Sequence, residues 1–263
     1  MDNKHSLALQ KAKEFALSYS PKPICIVLHG SLARKHFDRF SDIDLTVILP
    51  GDDSKKTSRI PKIVNGVVVN IAFVNIRQFV SIFGTKDVYE VIWKKAVTPE
   101  SIAIYDPYKL WPKIKKSCYI NIDKELEEAI VFRNYNGALT YLCKINNAYA
   151  NKNEPYLYDA SSAFSQEIAR IILTINKRYL NSWKNIYGLL KTAKNKPTNF
   201  WKHYSITAGY KRKGVTSDLI VKNAFQLLKK TQEILKRRYN KNIKNKYFKD
   251  FLYEDLSQFK IIN

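Results

Sequence analysis

Residues 29–47 place a glycine-serine pair and two aspartates within one short stretch of the chain. Gly30 and Ser31 follow the apolar run 24–28, which is typical of a buried strand, and they precede residues compatible with a short helix. Glycine lets a backbone approach a phosphate closely, and serine caps a following helix while its hydroxyl donates to a phosphate oxygen. The pattern therefore predicts a phosphate-binding turn between a strand and a helix.

Two aspartates follow this turn, Asp42 directly before and Asp44 inside a second apolar run, residues 43–49. Residues i and i+2 of a strand point the same way, so Asp42 and Asp44 leave one face while Ile43 and Leu45 enter the other. Two parallel carboxylates repel each other unless a cation lies between them, and Mg²⁺ carrying triphosphate oxygens is a suitable cation. The alternative is a glycine turn followed by a strand whose acidic pair is only solvated.

The order of strand, Gly-Ser, short helix and Ser-Asp-x-Asp resembles the DNA polymerase beta-like nucleotidyltransferase superfamily. The resemblance implies a mixed sheet with Gly30, Ser31 and Ser41 at the nucleotide and with Asp42 and Asp44 holding catalytic Mg²⁺, or Mn²⁺. It also implies an enzyme that transfers a nucleoside monophosphate to an acceptor hydroxyl and releases pyrophosphate. ATP is the expected substrate, so the transferred group is expected to be AMP.

Basic residues flank the predicted turn. Arg34, Lys35 and Arg39 are candidates for neutralising the phosphates of the leaving pyrophosphate. We expect only one or two of them to point inward, and we assign Arg34 and Lys35 to the nucleotide.

The third acid of the superfamily is replaced in this chain. By resemblance it belongs on the next long strand, where Asn70 interrupts a run of valines. An amide oxygen can ligate a metal, but it brings no charge and cannot act as a general base. We expect slow turnover or a preference for Mn²⁺ unless another acid takes over this function.

A second resemblance indicates where that acid could lie. In the branch similar to kanamycin nucleotidyltransferase, the general base is a glutamate from the helical C-terminal part. Glu127, Glu128 and Glu167 lie on predicted helices there and are the candidates. No motif selects among them, and each is also consistent with an ordinary solvated helix residue.

The periodicity of the rest of the chain predicts strands and helices in the first part and helices alone in the second. Together with the resemblance, which implies a mixed sheet, it leads us to expect an α+β protein, in which a mixed-sheet nucleotidyltransferase domain precedes an all-α helical bundle. The boundary is predicted near residue 117, giving domains 1–117 and 118–263. The predicted elements are a helix at 3–19, strands at 24–29, 43–49, 66–74 and 102–107, a helical stretch at 76–95, and helices at 123–150, 158–179, 183–194 and 217–239.

The charge of the chain is strongly positive, with 45 Lys and Arg against 23 Asp and Glu. Residues 118–263 carry 26 of these basic side chains and 12 of the acidic ones, so the helical part holds most of the excess. Such a field attracts polyanions, which makes nucleic acid a possible partner of the basic helical domain. The alternative is a solvated, lysine-rich surface.

Three cysteines at unrelated spacings indicate reduced thiols rather than a disulfide framework. The sequence has no apolar run near the ~20 residues that span a bilayer. We therefore expect a soluble, cytoplasmic protein with no membrane partner.

The acceptor is left open by the sequence. One hypothesis is adenylylation of a small hydroxylated molecule, and a second is transfer to RNA or to a protein hydroxyl. A third, from a different class, is an RNA- or nucleotide-binding protein whose catalysis is impaired by Asn70.

Overall fold

The computed structural model describes residues 3–51, 58–84, 97–117, 124–180, 183–239, 243–244, 246–253 and 256. The chain divides into two compact units, residues 1–121 and 122–263. The polar residues 51–54 predict a hairpin between two strands, and all of them except Gly51 lie outside the described residues. Residues 85–95 of the helical stretch predicted at 76–95 also lie outside them.

The first unit has both helices and strands. In chain order, its elements are α1 (Asn3–Leu17), β1 (Cys25–His29), α2 (Gly30–Ala33), β2 (Ile43–Leu49), β3 (Ser58–Val64), β4 (Val67–Asn75), α3 (Ile76–Gly84), a 3₁₀ turn (Thr98–Glu100), β5 (Ile102–Tyr105) and α4 (Leu110–Ser117).

The strands form one mixed sheet in the order β3-β4-β2-β1-β5. β2 runs parallel to β4, whereas the β1–β2, β1–β5 and β3–β4 pairs are antiparallel. The mixed sheet predicted from the sequence is thereby confirmed.

One face of this sheet is covered by α1. Ala8, Ala12 and Ala16 recur every fourth residue and are buried against the sheet, in a cluster that includes Leu45 and Ile71. Small side chains on one helical face let the helix axis approach the strands closely. The sheet is thus anchored on one face.

The opposite face is apolar along only part of its length. Cys25, Val27, Ile48 and Val74 are buried there with Trp111 of α4. Asp44, which shares this face of β2 with Ile48, lies beyond that apolar cluster. The polar part of this face is where the predicted site residues lie.

Strand β3 was not predicted from the sequence. Its residues alternate between half-buried and exposed, and it contains Pro61. Proline donates no ladder hydrogen bond, so it argues against a central strand but is tolerated at a sheet edge, where β3 lies.

The second unit is helical in its described residues. Its elements are α5 (Lys124–Ala150), α6 (Glu154–Ile175), a 3₁₀ turn (Trp183–Asn185), α7 (Ile186–Thr192), α8 (Phe200–Thr207), α9 (Ser217–Tyr239) and α10 (Lys246–Tyr253). Their buried faces form one core, which includes Tyr135, Phe164, Ile172 and Leu228. The α+β class is confirmed by this unit together with the mixed sheet. Among the described residues, no helix is both long enough and apolar enough to cross a membrane.

Candidate active site

The candidate site lies across three neighbouring strands. Asp44 of β2 is aligned with His29 of β1 on one side and with Asn70 of β4 on the other. Asp42 directly precedes β2 and is exposed. Because strand side chains alternate, Asp42 and Asp44 share a face. The sheet register therefore brings both aspartates and Asn70 together.

Gly30 brings the backbone against this acidic pair. Its φ is +72°, a conformation that favours glycine, and a Cβ at this position would lie 2.9 Å from Oδ2 of Asp44. Any other residue would be strained and would displace the carboxylate. The turn that begins α2 can therefore lie beside Asp44 only because residue 30 is glycine.

Asn70 bridges the two aspartates. Its Nδ2 donates to Oδ2 of Asp42 at 3.1 Å and to Oδ1 of Asp44 at 3.0 Å. The amide supplies two N–H bonds to the carboxylates but no positive charge. Asn70 therefore orients the acidic pair without neutralising it.

The electrostatics of Asp44 favour a cation. Its pKa is raised, chiefly by burial and further by the neighbouring Asp42 carboxylate. The Asn70 hydrogen bond and the charges of Arg59 and Arg34 act in the opposite direction but do not outweigh burial. A group whose ionised form is disfavoured in this way is stabilised when a cation approaches.

Arg34 lies close enough to act on Asp44, and it also forms an ion pair with Glu100 at 3.5 Å. Arg59, which also acts on Asp44, was missed by sequence reasoning. It lies on the unpredicted edge strand β3, and without the register of that strand no sequence signal could have found it. Two arginines thus contribute positive potential at the carboxylates.

Ser41 is engaged inside the loop that leads to Asp42. Its hydroxyl accepts the backbone N–H of Asp38 at 2.9 Å, and its carbonyl oxygen lies 2.9 Å from Nε2 of His5. These contacts fix the loop, whereas contact of Ser41 with a nucleotide stays a prediction. Lys35 is exposed with φ +59°, and Ser31 is half-buried in α2. Their nucleotide contacts are also still predictions.

His29 is held in a buried polar network behind the turn. Its Nδ1 lies 2.6 Å from the Ser101 hydroxyl, and its Nε2 lies 2.8 Å from that of Thr46. The Ser101 hydroxyl donates to the carbonyl of Val97, which leaves it to accept from Nδ1–H of His29. Burial lowers the pKa of His29 to about 4. His29 is therefore a neutral structural residue at the end of β1.

Glu127, one of the three glutamates considered as general base, is the centre of an ion cluster in the helical unit. Arg238 donates to both of its carboxylate oxygens, at 2.7 and 3.1 Å, and Tyr239 donates at 3.1 Å. Lys177 forms a further ion pair with it. Burial opposes ionisation, but the hydrogen bonds from Arg238 and Lys177 prevail and lower the pKa. These contacts give Glu127 a structural task and make it a weak base.

Glu128 and Glu167 have fewer partners. Oε2 of Glu128 accepts the backbone N–H of Lys244 at 3.0 Å, while its buried Oε1 has no hydrogen-bond partner among the described residues. Glu167 accepts from Arg170 at 2.7 Å, and burial raises its pKa. A raised pKa suits a general base better than the lowered value of Glu127 does. Glu128 and Glu167 remain predicted candidates.

The donor set around Asp44 fits a hard divalent cation. Carboxylate oxygens are the ligands that Mg²⁺ and Mn²⁺ prefer, and the Asn70 amide offers an oxygen if it turns over. Asp42 and Asp44 are the only acids that can be assigned to such an ion in the described part of this sheet, where no cluster of three or more His, Cys, Asp or Glu occurs. The site therefore has one fewer negative charge than a three-acid site.

One comparison with known proteins, a family model, covers the residues of this site. The sequence model of the family described as nucleotidyltransferase domain matches residues 9–98, which include the C-terminal part of α1, the Gly-Ser turn, both aspartates and Asn70. A nucleotidyltransferase-like protein from Exiguobacterium sibiricum is 14% identical, with a TM-score of 0.49 over 89% of this chain and 74% of its own. A search of curated protein sequences gave no significant match. Residues 9–98 thus match the model of a nucleotidyltransferase domain, and a helical region follows them.

Proposed function

We propose that this protein transfers a nucleoside monophosphate, AMP from ATP, to an acceptor hydroxyl and releases pyrophosphate. The observation that carries the proposal is the close grouping of Asp42 and Asp44 beside the backbone of Gly30. Carboxylates grouped beside a glycine turn suit a triphosphate that arrives with a divalent cation.

Each residue of the site has a distinct task in this reaction. The acceptor oxygen forms a bond to the α-phosphorus while the bond from that phosphorus to the pyrophosphate oxygen breaks. The turn at Gly30 and Ser31 receives the phosphates, and Arg34 and Arg59 add positive potential as charge moves onto the leaving pyrophosphate.

Asp42 and Asp44 would hold Mg²⁺ or Mn²⁺, which supplies charge stabilisation at the phosphate oxygens when bound. Asn70 holds the two carboxylates side by side. Asn70 cannot accept the acceptor's proton, so that proton goes to another base. Glu128 and Glu167 stay candidates for that base.

A metal-dependent binding test separates this proposal from a fold without nucleotide chemistry. The full chain is titrated with each of the four nucleoside triphosphates in the presence of Mg²⁺ or Mn²⁺, and its thermal midpoint and pyrophosphate release are followed. Ligand at a hundred times its Kd stabilises a folded protein by about 2.7 kcal/mol, which a thermal scan resolves readily.

The Asp42→Asn variant is expected to lose the metal-dependent stabilisation. Asp159→Asn is the matched control, because Asp159 is exposed on α6 of the other unit and the charge change is identical. Metal-dependent stabilisation that persists in Asp42→Asn would contradict the proposed site.

A second candidate function is nucleotide binding without turnover, and the observation that favours it is Asn70. The amide satisfies both carboxylates and removes one of the charges that would hold a second cation. This candidate predicts stabilisation by nucleotide and metal with no pyrophosphate release. Release of pyrophosphate, with small hydroxylated molecules or pooled RNA as acceptor, would exclude it.

A further inference from the structure

A basic cavity in the helical unit has no task in the chemistry proposed above. Its volume is about 490 Å³, and four cationic residues, Lys194, Lys196, Arg237 and Arg238, line it together with Ile175, Asn195 and Ile234. None of the described residues that line it is acidic. A concave surface with charge of one sign focuses the electrostatic field and attracts anions.

The loop that carries two of these cations is fixed to the end of α6. Oδ1 of Asn176 accepts the backbone N–H groups of Lys194 and Asn195, both at 2.9 Å. Nδ2 of Asn176 donates to the carbonyl of Asn195, also at 2.9 Å. This wall of the basic cavity is therefore held by hydrogen bonds in which the lysine side chains take no part.

The charges themselves are partly pre-organised. Nζ of Lys196 donates to the carbonyls of Leu190 and Lys191, at 3.1 and 3.0 Å, where α7 ends. Arg238 is held by Glu127, and that carboxylate also binds Lys177. Cations held in place lose less side-chain entropy when an anion binds than free lysines do.

An exposed aromatic surface lies beside the basic cavity. We call Tyr187, Trp201 and Tyr210 the aromatic ledge: the Tyr187 ring centroid lies 4.9 Å from that of Trp201 and 6.3 Å from that of Tyr210. Tyr187 and Tyr210 are each 52% exposed. Nζ of Lys196, a lining residue of the basic cavity, lies 5.9 Å from the Trp201 ring. The two surfaces therefore meet at Lys196.

Further positive charge borders the aromatic ledge. Lys211, Arg212 and Lys213 directly follow Tyr210 and are exposed. Over the whole unit, 26 basic side chains oppose 12 acidic ones. A small anion would not need exposed aromatic rings, and a duplex does not offer base faces to them. A basic groove next to exposed rings is the arrangement that binds a single strand.

We propose that the basic cavity and the aromatic ledge together bind single-stranded nucleic acid, with backbone phosphates in the cavity and bases stacked on the tyrosines. RNA and DNA single strands share this chemistry. The proposal does not depend on nucleotide transfer by the other unit, because it uses residues of the helical unit alone.

Fluorescence anisotropy of the full chain with labelled 12-nucleotide strands tests the proposal. Titrations are made in EDTA without nucleoside triphosphate, at several KCl concentrations, with RNA, with DNA and with the corresponding RNA duplex. Asp42→Asn should bind like the original chain in this assay, so failure of the proposed nucleotide site leaves the result interpretable.

Lys194→Gln with Arg237→Gln removes two cavity charges without touching the ion pairs of Glu127. We expect Kd for the single strand to rise about tenfold or more and the slope of log Kd against log salt to fall by about 1. The matched control is Lys152→Gln with Lys229→Gln, two exposed lysines that do not line the cavity. It should change Kd less than about twofold.

Tyr187→Ala with Tyr210→Ala tests the aromatic ledge separately. We expect Kd to rise about tenfold while the salt slope stays unchanged, because stacking involves no phosphate charge. Tyr187→Phe with Tyr210→Phe keeps the rings and should restore binding to within about twofold. Circular dichroism and the thermal midpoint establish that each variant is folded.

The outcomes separate cleanly. The site is supported if the cavity and ledge variants bind the single strand more weakly, the phenylalanine variant keeps its affinity, and the duplex binds more weakly than the single strand. The ratio of the affinities for RNA and DNA identifies the preferred sugar. Binding by the cavity variant equal to that of the original chain overturns the proposal. The proposal is also overturned if the lysine control loses as much affinity as the cavity variant. It is overturned as well if the duplex binds as tightly as the single strand and the tyrosine substitutions do not weaken that binding.

Discussion

Asp44 in the sheet unit is a half-buried carboxylate and Glu127 in the helical unit is a buried one, and the two have opposite surroundings. Glu127 is contacted by Arg238, Lys177 and Tyr239, and its pKa is lowered. Asp44 has the neutral amide of Asn70 as its hydrogen-bond donor and the carboxylate of Asp42 as its neighbour, and its pKa is raised.

The difference separates a structural acid from an acid that is ready to receive a cation. A buried charge is tolerated when its partners are complete, and Glu127 has them. Asp44 is left with unfavourable ionisation, which a divalent cation would relieve. Burial alone therefore does not indicate function; the charge of the partners does.

The largest expected effect comes from Asp44→Asn. Removing one of the two carboxylates that we propose hold the metal should lower the proposed nucleotidyl transfer on the order of 10³-fold, because charge stabilisation at the phosphates is lost. In EDTA the same variant should be more stable than the original chain, since it lacks an unfavourable charge. Pyrophosphate release and thermal scans in EDTA measure the two effects. If Asp44→Asn were less stable than the original chain in EDTA, the proposed contrast between Asp44 and Glu127 would be contradicted.

Acid is expected to affect His29 in the sheet unit and Glu127 in the helical unit in different pH ranges. The pKa of His29 is lowered to about 4, so the folded state resists protonation while the unfolded chain titrates near 6.5. The stability that neutral His29 provides is complete above pH ~6.5 and is lost as pH falls towards 4, by roughly 3 kcal/mol. Glu127, with its lowered pKa, loses its contribution only when pH falls below the usual glutamate range.

Urea unfolding of the full chain between pH 7 and pH 4 measures the His29 effect. His29→Asn cannot titrate, so its stability should depend less on pH in this window. An equal pH dependence in the variant and the original chain would assign the acid sensitivity elsewhere.

Glu127→Gln tests the structural side of the comparison. The cluster loses its central charge, and we expect unfolding to become easier by about 2 kcal/mol, since Arg238 and Lys177 are partly solvated and recover some hydration. The matched variant is Glu125→Gln, which makes the same charge change at an exposed position two residues before Glu127, and its stability is expected within about 0.5 kcal/mol of the original. Urea unfolding measures both, and equal effects would show that the cluster is unimportant.

The sequence predicts those features of the fold and of the candidate site that depend on local periodicity. The spacing of Asp42 and Asp44 predicts a shared face, and β2 (Ile43–Leu49) and α9 (Ser217–Tyr239) have the predicted bounds. Local pattern is sufficient there because the apolar residues follow the period of the element.

Contacts between residues distant in sequence could not be predicted. Arg238 meets Glu127 across 111 positions, and Asn70 meets Asp44 through the parallel register of β2 and β4. Short elements were also missed: α8 (Phe200–Thr207) is rich in aromatic residues and too short for a helical period to be evident. Tertiary packing rather than propensity stabilises such a segment.

The smallest expected effect comes from Asn70→Asp, which adds a third carboxylate beside Asp42 and Asp44. A third carboxylate would face Asp42 and Asp44 where the amide now donates to both, so the chain without metal should be destabilised by about 1 kcal/mol. With Mg²⁺ or Mn²⁺ the added charge should tighten metal binding about tenfold, which corresponds to a similar free energy. Asn70→Ser removes the two N–H bonds without adding charge and serves as the control. Thermal scans without and with metal measure the expected destabilisation and its reversal. Destabilisation of Asn70→Asp that metal does not reverse would mean that Asn70 acts only in packing.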